Sequence, residues 1–364
     1  MKTIRFPFYA RFAIILLAIT LLLFLLSFGS SLFIPLSFGM LTALLLYPLA
    51  KYMERVMPRS LASLVAVLVF IIALGAFITL ITIQAISFSQ DIPLLENRIA
   101  SITQSVQQWL SKEYNINSEQ QAAYLNKSAE NLLGAITGYI QTIFLSVTEF
   151  AFWTIFVFIY TYFILFHRGL LVKFAANVFP EEHRLRVHSV VSQTRTVINS
   201  YIGGVLTEMA IVAGINCMAL GMLGTKYALL LGILVAVLNL IPYIGIFTGI
   251  VLSMLITLSN AGAAEALHAG IALLIVHFID ANILMPRIVG SKVKMNALVT
   301  IIAVLIGGLV WGVAGMFLFI PLMAMLKIVM EHIPETHAWA MLMGAEEKIP
   351  RVKRVKKKGV ITDN

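Results

Sequence analysis

Ionisable side chains inside long apolar stretches are the strongest chemical signal in the sequence. Glu208 lies within one such stretch, and His277 and Asp280 lie near the end of another. Charged groups in a bilayer interior are costly, so they usually face a polar cavity or an ion pathway. His277 and Asp280 are three residues apart and share one face of a helix. We expect these side chains to bind a proton, an ion or a polar solute, unless Asp280 lies at the interface and only fixes a helix end.

Amides and helix-breaking residues add to this candidate site. Asn239, Pro242 and Gly245 interrupt the apolar stretch 227–258. Proline removes a backbone donor and glycine adds freedom, so a straight helix is not expected there. Irregular backbone at membrane depth has to be buried in protein or line a wet cavity, where its carbonyls can hold a solute. We therefore predict that this segment and the amide of Asn282 belong to a substrate- or ion-binding site, in which Gly245 shapes the backbone.

Motifs typical of enzymes are absent from the sequence. It contains no phosphate-binding loop, no GxSxG nucleophile elbow, and neither HExxH nor CxxC. Its single cysteine, Cys217, can form no internal disulfide and is expected to pack in an apolar run. We therefore expect no catalytic residues, no cofactor and no bound metal.

Composition defines the elements that must position these residues. Of the 364 residues, 60% are hydrophobic and only 12% are charged. About 20 apolar residues cross the hydrocarbon core as a helix, whereas barrel strands alternate polar and apolar residues. The sequence thus predicts an all-α polytopic membrane protein with about eight membrane elements. We place these near 12–29, 32–50, 60–87, 140–166, 201–223, 227–258, 263–285 and 295–330.

The stretches 227–258 and 295–330 are too long for one crossing each. If each crosses once, the basic loop Arg287–Lys294 falls outside, against the positive-inside rule. If both are re-entrant helical hairpins, that loop is cytoplasmic. We prefer the hairpins, and paired broken elements are a recurring device of transporters.

Charge distribution orients the chain in the membrane with both termini in the cytoplasm. The formal net charge of +9 is partly concentrated in the tail at 351–358, which suits an anionic leaflet and not a nucleic acid. We divide the chain into five parts: N-terminal scaffold helices (1–88), an exported amphipathic helical region (89–138), the fourth helix with a cytoplasmic amphipathic loop (139–200), a transport region (201–335) and a basic cytoplasmic tail (336–364).

Two motifs carry a resemblance to a known family. The stretch 239–245, Asn-Leu-Ile-Pro-Tyr-Ile-Gly, and the stretch 282–291, beginning Asn-Ile-Leu-Met-Pro-Arg, resemble two signatures of the AI-2E transporter family. Gly308, Gly312, Gly315 and Pro321 resemble its closing pattern of small residues. The resemblance implies a permease of the bacterial inner membrane that exports a small solute such as autoinducer-2, or a sodium or lithium/proton antiporter. It further implies homo-oligomers, with pentamers preferred, and elevator-like movement of the hairpin domain.

Three functional hypotheses follow. The first is a secondary transporter that exports a small polar solute, which the amides and carboxylates named above would bind. The second is an antiporter of a monovalent cation and a proton, which needs a carboxylate that cycles between the two. The third is a membrane scaffold without transport activity.

Overall fold

The computed structural model describes residues 7–89, 153–240, 244–290 and 295–344, together with Lys292 and a few isolated positions between 100 and 134. The expected exported region is therefore almost wholly outside the described residues, and so are Pro242 and the basic residues of the tail. Within the described ranges the chain is helical and forms no strand, apart from one isolated bridge between Met295 and Gly344.

Seven helices in the described ranges are long and apolar enough to cross a membrane. This confirms the prediction of an all-α polytopic membrane protein. In chain order, the α-helices are α1 (Phe8–Phe28), α2 (Ser30–Met53), α3 (Arg59–Ser89), α4 (Trp153–Val178), α5 (Arg184–Met222), α6 (Ala228–Leu238), α7 (Ile244–Asn260), α8 (Ala263–Ile279), α9 (Ala297–Glu331) and α10 (His337–Met343).

Helices α2, α3 and α4 pack around small side chains. Ala50, Ala62 and Ala66 are fully buried between them. A Cβ added at Gly39 of α2 would lie 2.7 Å from the Cβ of Tyr160 in α4, so the two backbones approach closely. Small residues allow such approach in membranes, where association depends on packing and not on the hydrophobic effect.

Helix α5 is longer than the sequence predicted. The expected fifth helix began at residue 201, after an amphipathic loop, but α5 is continuous from Arg184 and follows a 3₁₀ turn at Glu181–His183. At 1.5 Å per residue its 39 residues span about 58 Å, well beyond a hydrocarbon core of about 30 Å. Its polar first half therefore extends past the membrane core as helix and not as loop.

The stretch 227–258 forms a pair of short helices, named here the first hairpin. A Cβ added at Gly249 of α7 would lie 3.2 Å from the Cα of Val235 in α6, and one at Gly245 would overlap the carbonyl of Leu238. The two helices therefore lie side by side. With 11 and 17 residues, each is shorter than the roughly 20 residues that a full crossing needs.

The second hairpin is formed by the two halves of α9. The backbone leaves the helical region at Trp311 and Gly312, where Gly312 has φ +59°. A Cβ at Gly307 would overlap the carbonyl of Gly315, and the reverse is also true. Residues eight positions apart in a straight helix are separated by about 12 Å, so this contact shows that the chain turns back on itself.

Candidate functional site

Asp280 occupies a break in regular helix geometry. It follows α8 and begins a π-helical segment, Asp280–Leu284, which is succeeded by another at Pro286–Gly290. Proline has no N–H to continue an α-helical ladder, and π-helical turns are frequent at functional sites. Asp280 is only 1% exposed, so its carboxyl group lies inside the protein and not at an interface.

Asn239 brings Asp280 and Glu208 together. It lies directly after the last residue of α6, where the first hairpin begins to turn. Its amide Nδ2 donates hydrogen bonds to Asp280 Oδ2 at 2.9 Å and to Glu208 Oε1 at 3.3 Å. Glu208 is also buried, in the middle of α5. One amide thus joins residues from three separate elements.

The carboxyl groups of Glu208 and Asp280 also lie within hydrogen-bonding range of each other. Two carboxylates this close repel, so the pair is stable when it shares a proton or when a cation lies between its oxygens. Among the described residues, Asp280 Oδ1 has no hydrogen-bond partner. The pair can therefore accept a further donor, such as a hydroxyl group, or coordinate a cation.

A cavity of about 410 Å³ opens at this cluster. Its volume lies in the range of small-molecule sites, which combine apolar walls with a few polar groups. His277 is half-buried at the wall, and its Nδ1 has no partner within the described ranges. No lysine or arginine occurs among the described residues that line the cavity. The lining includes Tyr201, Val205, Glu208, Asn239, Phe247, His277, Asp280, Met285, Met295, Thr300, Val304, Phe317 and Ile320.

The remaining predicted residues have other positions. Asn282 is exposed, its amide donates to the Phe278 carbonyl at 2.8 Å, and it is not part of the cavity wall. Gly245 packs against the backbone of Leu238 and allows the two helices of the first hairpin to touch. Pro242 lies outside the described residues. The structure therefore groups Glu208, Asn239, His277 and Asp280 around one cavity, and it places Asn282 and Gly245 away from the polar contacts.

Sequence reasoning missed two polar residues of the cavity wall. Tyr201 is 4% exposed and lies seven residues before Glu208, on the same face of α5. That spacing is visible in the sequence. Thr300 comes from the first half of α9, and its proximity depends on the second hairpin folding back. Within the described ranges, no three His, Cys, Asp or Glu side chains are grouped as metal ligands.

Comparison with known proteins gives a consistent picture over nearly the whole chain. Residues 12–335 match the model described as AI-2E family transporter. YueF of Bacillus subtilis, named as a candidate transport protein, is 29% identical over 313 residues, covering 82% of this chain and 84% of that protein. The Escherichia coli AI-2 transport protein TqsA is 24% identical over 326 residues, covering 87% and 90%. YhhT of E. coli, also named as a candidate transport protein, is 25% identical over 327 residues, covering 87% and 89%.

Proposed function

The chain belongs to the AI-2E transporter family, and from that premise we propose that it is a secondary transporter that exports a small polar solute through the cavity at Glu208, Asn239 and Asp280. The observation that carries the proposal is the single amide that joins two buried carboxyl groups from different helices. Buried polar groups are costly unless they have partners, and a polar solute supplies the partners that the cavity leaves open.

The chemistry of the wall favours a neutral solute that carries hydroxyl groups. Hydroxyls can donate to Asp280 Oδ1 and accept from the Asn239 amide, while the apolar wall covers the carbon skeleton. An anionic solute would meet two carboxyl groups and no lysine or arginine among the described wall residues. Autoinducer-2, the solute in the name of TqsA, is a small polyol and fits this description.

An elevator-like movement is the mechanism that we propose for this transport. Every described residue of the cavity wall lies between Tyr201 and Ile320, and α1 to α4 contribute none. The site could therefore move with α5, α8 and the two hairpins against a static group formed by α2, α3 and α4. A proton shared by the carboxyl pair would offer a means of coupling, because movement of an unpaired charge through the membrane is unfavourable.

The proposed setting is a homo-oligomer, with five subunits preferred, in a bacterial inner membrane with both termini in the cytoplasm. α1 supports an assembly in lipid because none of its apolar window is buried within the chain. Apolar surface of this extent needs lipid or another subunit to cover it.

An antiporter of a monovalent cation and a proton is the second candidate. The observation in its favour is the pair of carboxyl groups in a wall whose described residues include no lysine or arginine. Carboxylate and amide oxygens are suitable ligands for hard cations, and a carboxylate can exchange a cation for a proton.

Flux measurements in vesicles distinguish the two candidates. The purified chain is reconstituted with a pH-sensitive dye inside, and either autoinducer-2 or sodium is applied as a gradient. The variants Glu208→Gln and Asp280→Asn should abolish flux, whereas Glu265→Gln, an exposed residue of α8, makes the same charge change and should retain it. Solute flux without sodium-driven proton movement supports the exporter, and the opposite result supports the antiporter. Wild-type flux in both site variants would refute the assignment of this site.

A further inference from the structure

A second cleft, separate from the cavity at Glu208, Asn239 and Asp280 (the transport cavity), lies between the end of α2 and the first half of α5. Its volume is about 740 Å³. The residues of this cleft, named here the basic cleft, are Tyr47, Pro48, Lys51, Tyr52, Glu54, Arg55, Arg195, Thr196, Asn199 and Ser200. Among the described residues it shares no lining residue with the transport cavity, although Ser200 of the cleft adjoins Tyr201 of the cavity in the chain.

Positive charge in the basic cleft is largely unopposed. Its one acidic residue, Glu54, accepts a hydrogen bond from Arg168 Nη2 at 2.6 Å and is neutralised by that ion pair. Lys51, Arg55 and Arg195 form no ion pair with any described residue. Three cations therefore face one cleft without a free carboxylate beside them, and an anion bound there would relieve their mutual repulsion.

Aromatic rings hold two of these cations in place. The guanidinium of Arg195 lies over the Tyr47 ring at 4.6 Å from its centroid, and that of Arg55 lies over the Tyr52 ring at 5.5 Å. Stacking uses the face of a guanidinium and leaves its N–H edge available, and that edge matches the oxygens of a phosphate group. Both guanidinium groups thus keep N–H donors available for an anion.

The position of the cleft relative to the membrane indicates which molecule carries that anion. α2 is an apolar helix that ends at Met53, so Lys51, Tyr52 and Arg55 lie where the chain leaves the hydrocarbon core. Tyrosine and basic residues are enriched at this level, where lipid phosphates lie. We propose that the basic cleft binds a phosphate group, carried by the headgroup of an anionic phospholipid. Such a headgroup contacts both α2 and α5.

Ligand-dependent thermal unfolding of the full chain in detergent tests this proposal. The added probes are phosphatidylglycerol, phosphatidylcholine and inorganic phosphate, each titrated separately. Phosphatidylglycerol should raise the unfolding temperature in a saturable manner, and phosphatidylcholine should have a much smaller effect. A comparable response to inorganic phosphate at low concentration would assign the site to a free phosphate compound and not to a lipid.

Two double variants with equal loss of charge show whether the cleft is responsible. Lys51→Gln with Arg195→Gln removes two cations of the cleft, and Lys173→Gln with Arg186→Gln removes two exposed cations elsewhere on the chain. The first should weaken phosphatidylglycerol binding by about tenfold or more, since each basic residue near a lipid surface contributes about fivefold, and the second should change it by less than twofold.

The single variant Lys51→Gln changes an exposed residue, so it still tests the proposal if the double variant misfolds. Its expected loss of affinity is about threefold to fivefold. Equal losses in both double variants would show only bulk attraction of charge and would overturn the proposal. Absence of any saturable response to phosphatidylglycerol would overturn it too.

Discussion

Gly315→Ala tests the central structural claim, that α9 reverses direction at Trp311–Gly312. In the structure Gly315 faces Gly307 so closely that an added Cβ would overlap the Gly307 carbonyl. The same Cβ would also lie 2.9 Å from the Cβ of Trp311. The neighbouring atoms are backbone atoms or are fixed to the backbone, so the two halves of the hairpin would have to separate.

The expected cost can be scaled against two other glycines. Overpacking of a tight contact usually costs 1–3 kcal/mol, and overlap with backbone belongs at or above the upper end, so we expect about 3 kcal/mol for Gly315→Ala. Gly312→Ala meets no atom within 4 Å but must adopt φ +59° with ψ −140°, a conformation that is essentially confined to glycine, which costs about 2 kcal/mol. Gly214→Ala in α5 meets nothing within 4 Å and should be neutral or stabilising by up to about 1 kcal/mol.

Thermal unfolding in one detergent should therefore rank the three variants, with Gly315→Ala least stable, Gly312→Ala intermediate and Gly214→Ala at or above wild type. Transport in vesicles should fail in Gly315→Ala as well, because Thr300 and Phe317 reach the cavity from opposite halves of the hairpin. If Gly315→Ala unfolds at the same temperature as Gly214→Ala, the two halves do not touch, and the hairpin and the cavity built on it are both refuted.

Two further variants test individual hydrogen bonds. Asn239→Leu keeps the approximate shape but removes the amide that both carboxyl groups share, so initial transport rates should fall more than tenfold. Asn282→Leu should change them less than twofold, because among the described residues the Asn282 amide bonds to the Phe278 carbonyl of the preceding turn and not to the carboxyl pair. Equal rates in the two would contradict the assigned site. Trp311→Phe removes the hydrogen bond that Nε1 donates to the Leu26 carbonyl at 2.8 Å. The variant should lose about 1 kcal/mol of stability in thermal unfolding, and wild-type stability would contradict this bond.

The interruptions of the long apolar stretches could be predicted from the sequence because they depend on local chemistry. Proline cannot donate a backbone hydrogen bond, and glycine permits backbone angles such as those of Gly312. Ionisable residues in apolar stretches could be found for a similar reason, since each is unusual in its own segment. Both kinds of signal are contained in a window of a few residues.

Contacts between distant segments could not be predicted in this way. Asn239 lies 31 residues from Glu208 and 41 from Asp280, and no periodicity relates them. The prediction that Asn282 joins them overlooked helical geometry, because residues two positions apart do not face the same side. The residues Pro180-Glu181-Glu182 do predict a helix start, but the continuity of α5 was missed. Residues 184–200 are polar, and polarity indicates the end of the hydrocarbon core but not the end of a helix.

The position of Asn239 links the proposed binding site to the shape of the first hairpin. Its amide is held where α6 ends and the chain turns, so any change in that turn changes its distance to Asp280 and Glu208. A ligand that binds the carboxyl pair together with the amide must then favour the hairpin arrangement in which all three groups converge. The same reasoning applies in reverse: a hairpin displaced from α5 leaves the two carboxyl groups without their shared donor. If solute or proton binds at the proposed site, its binding and the position of the hairpin are parts of one equilibrium, which is the requirement that a transporter has to meet.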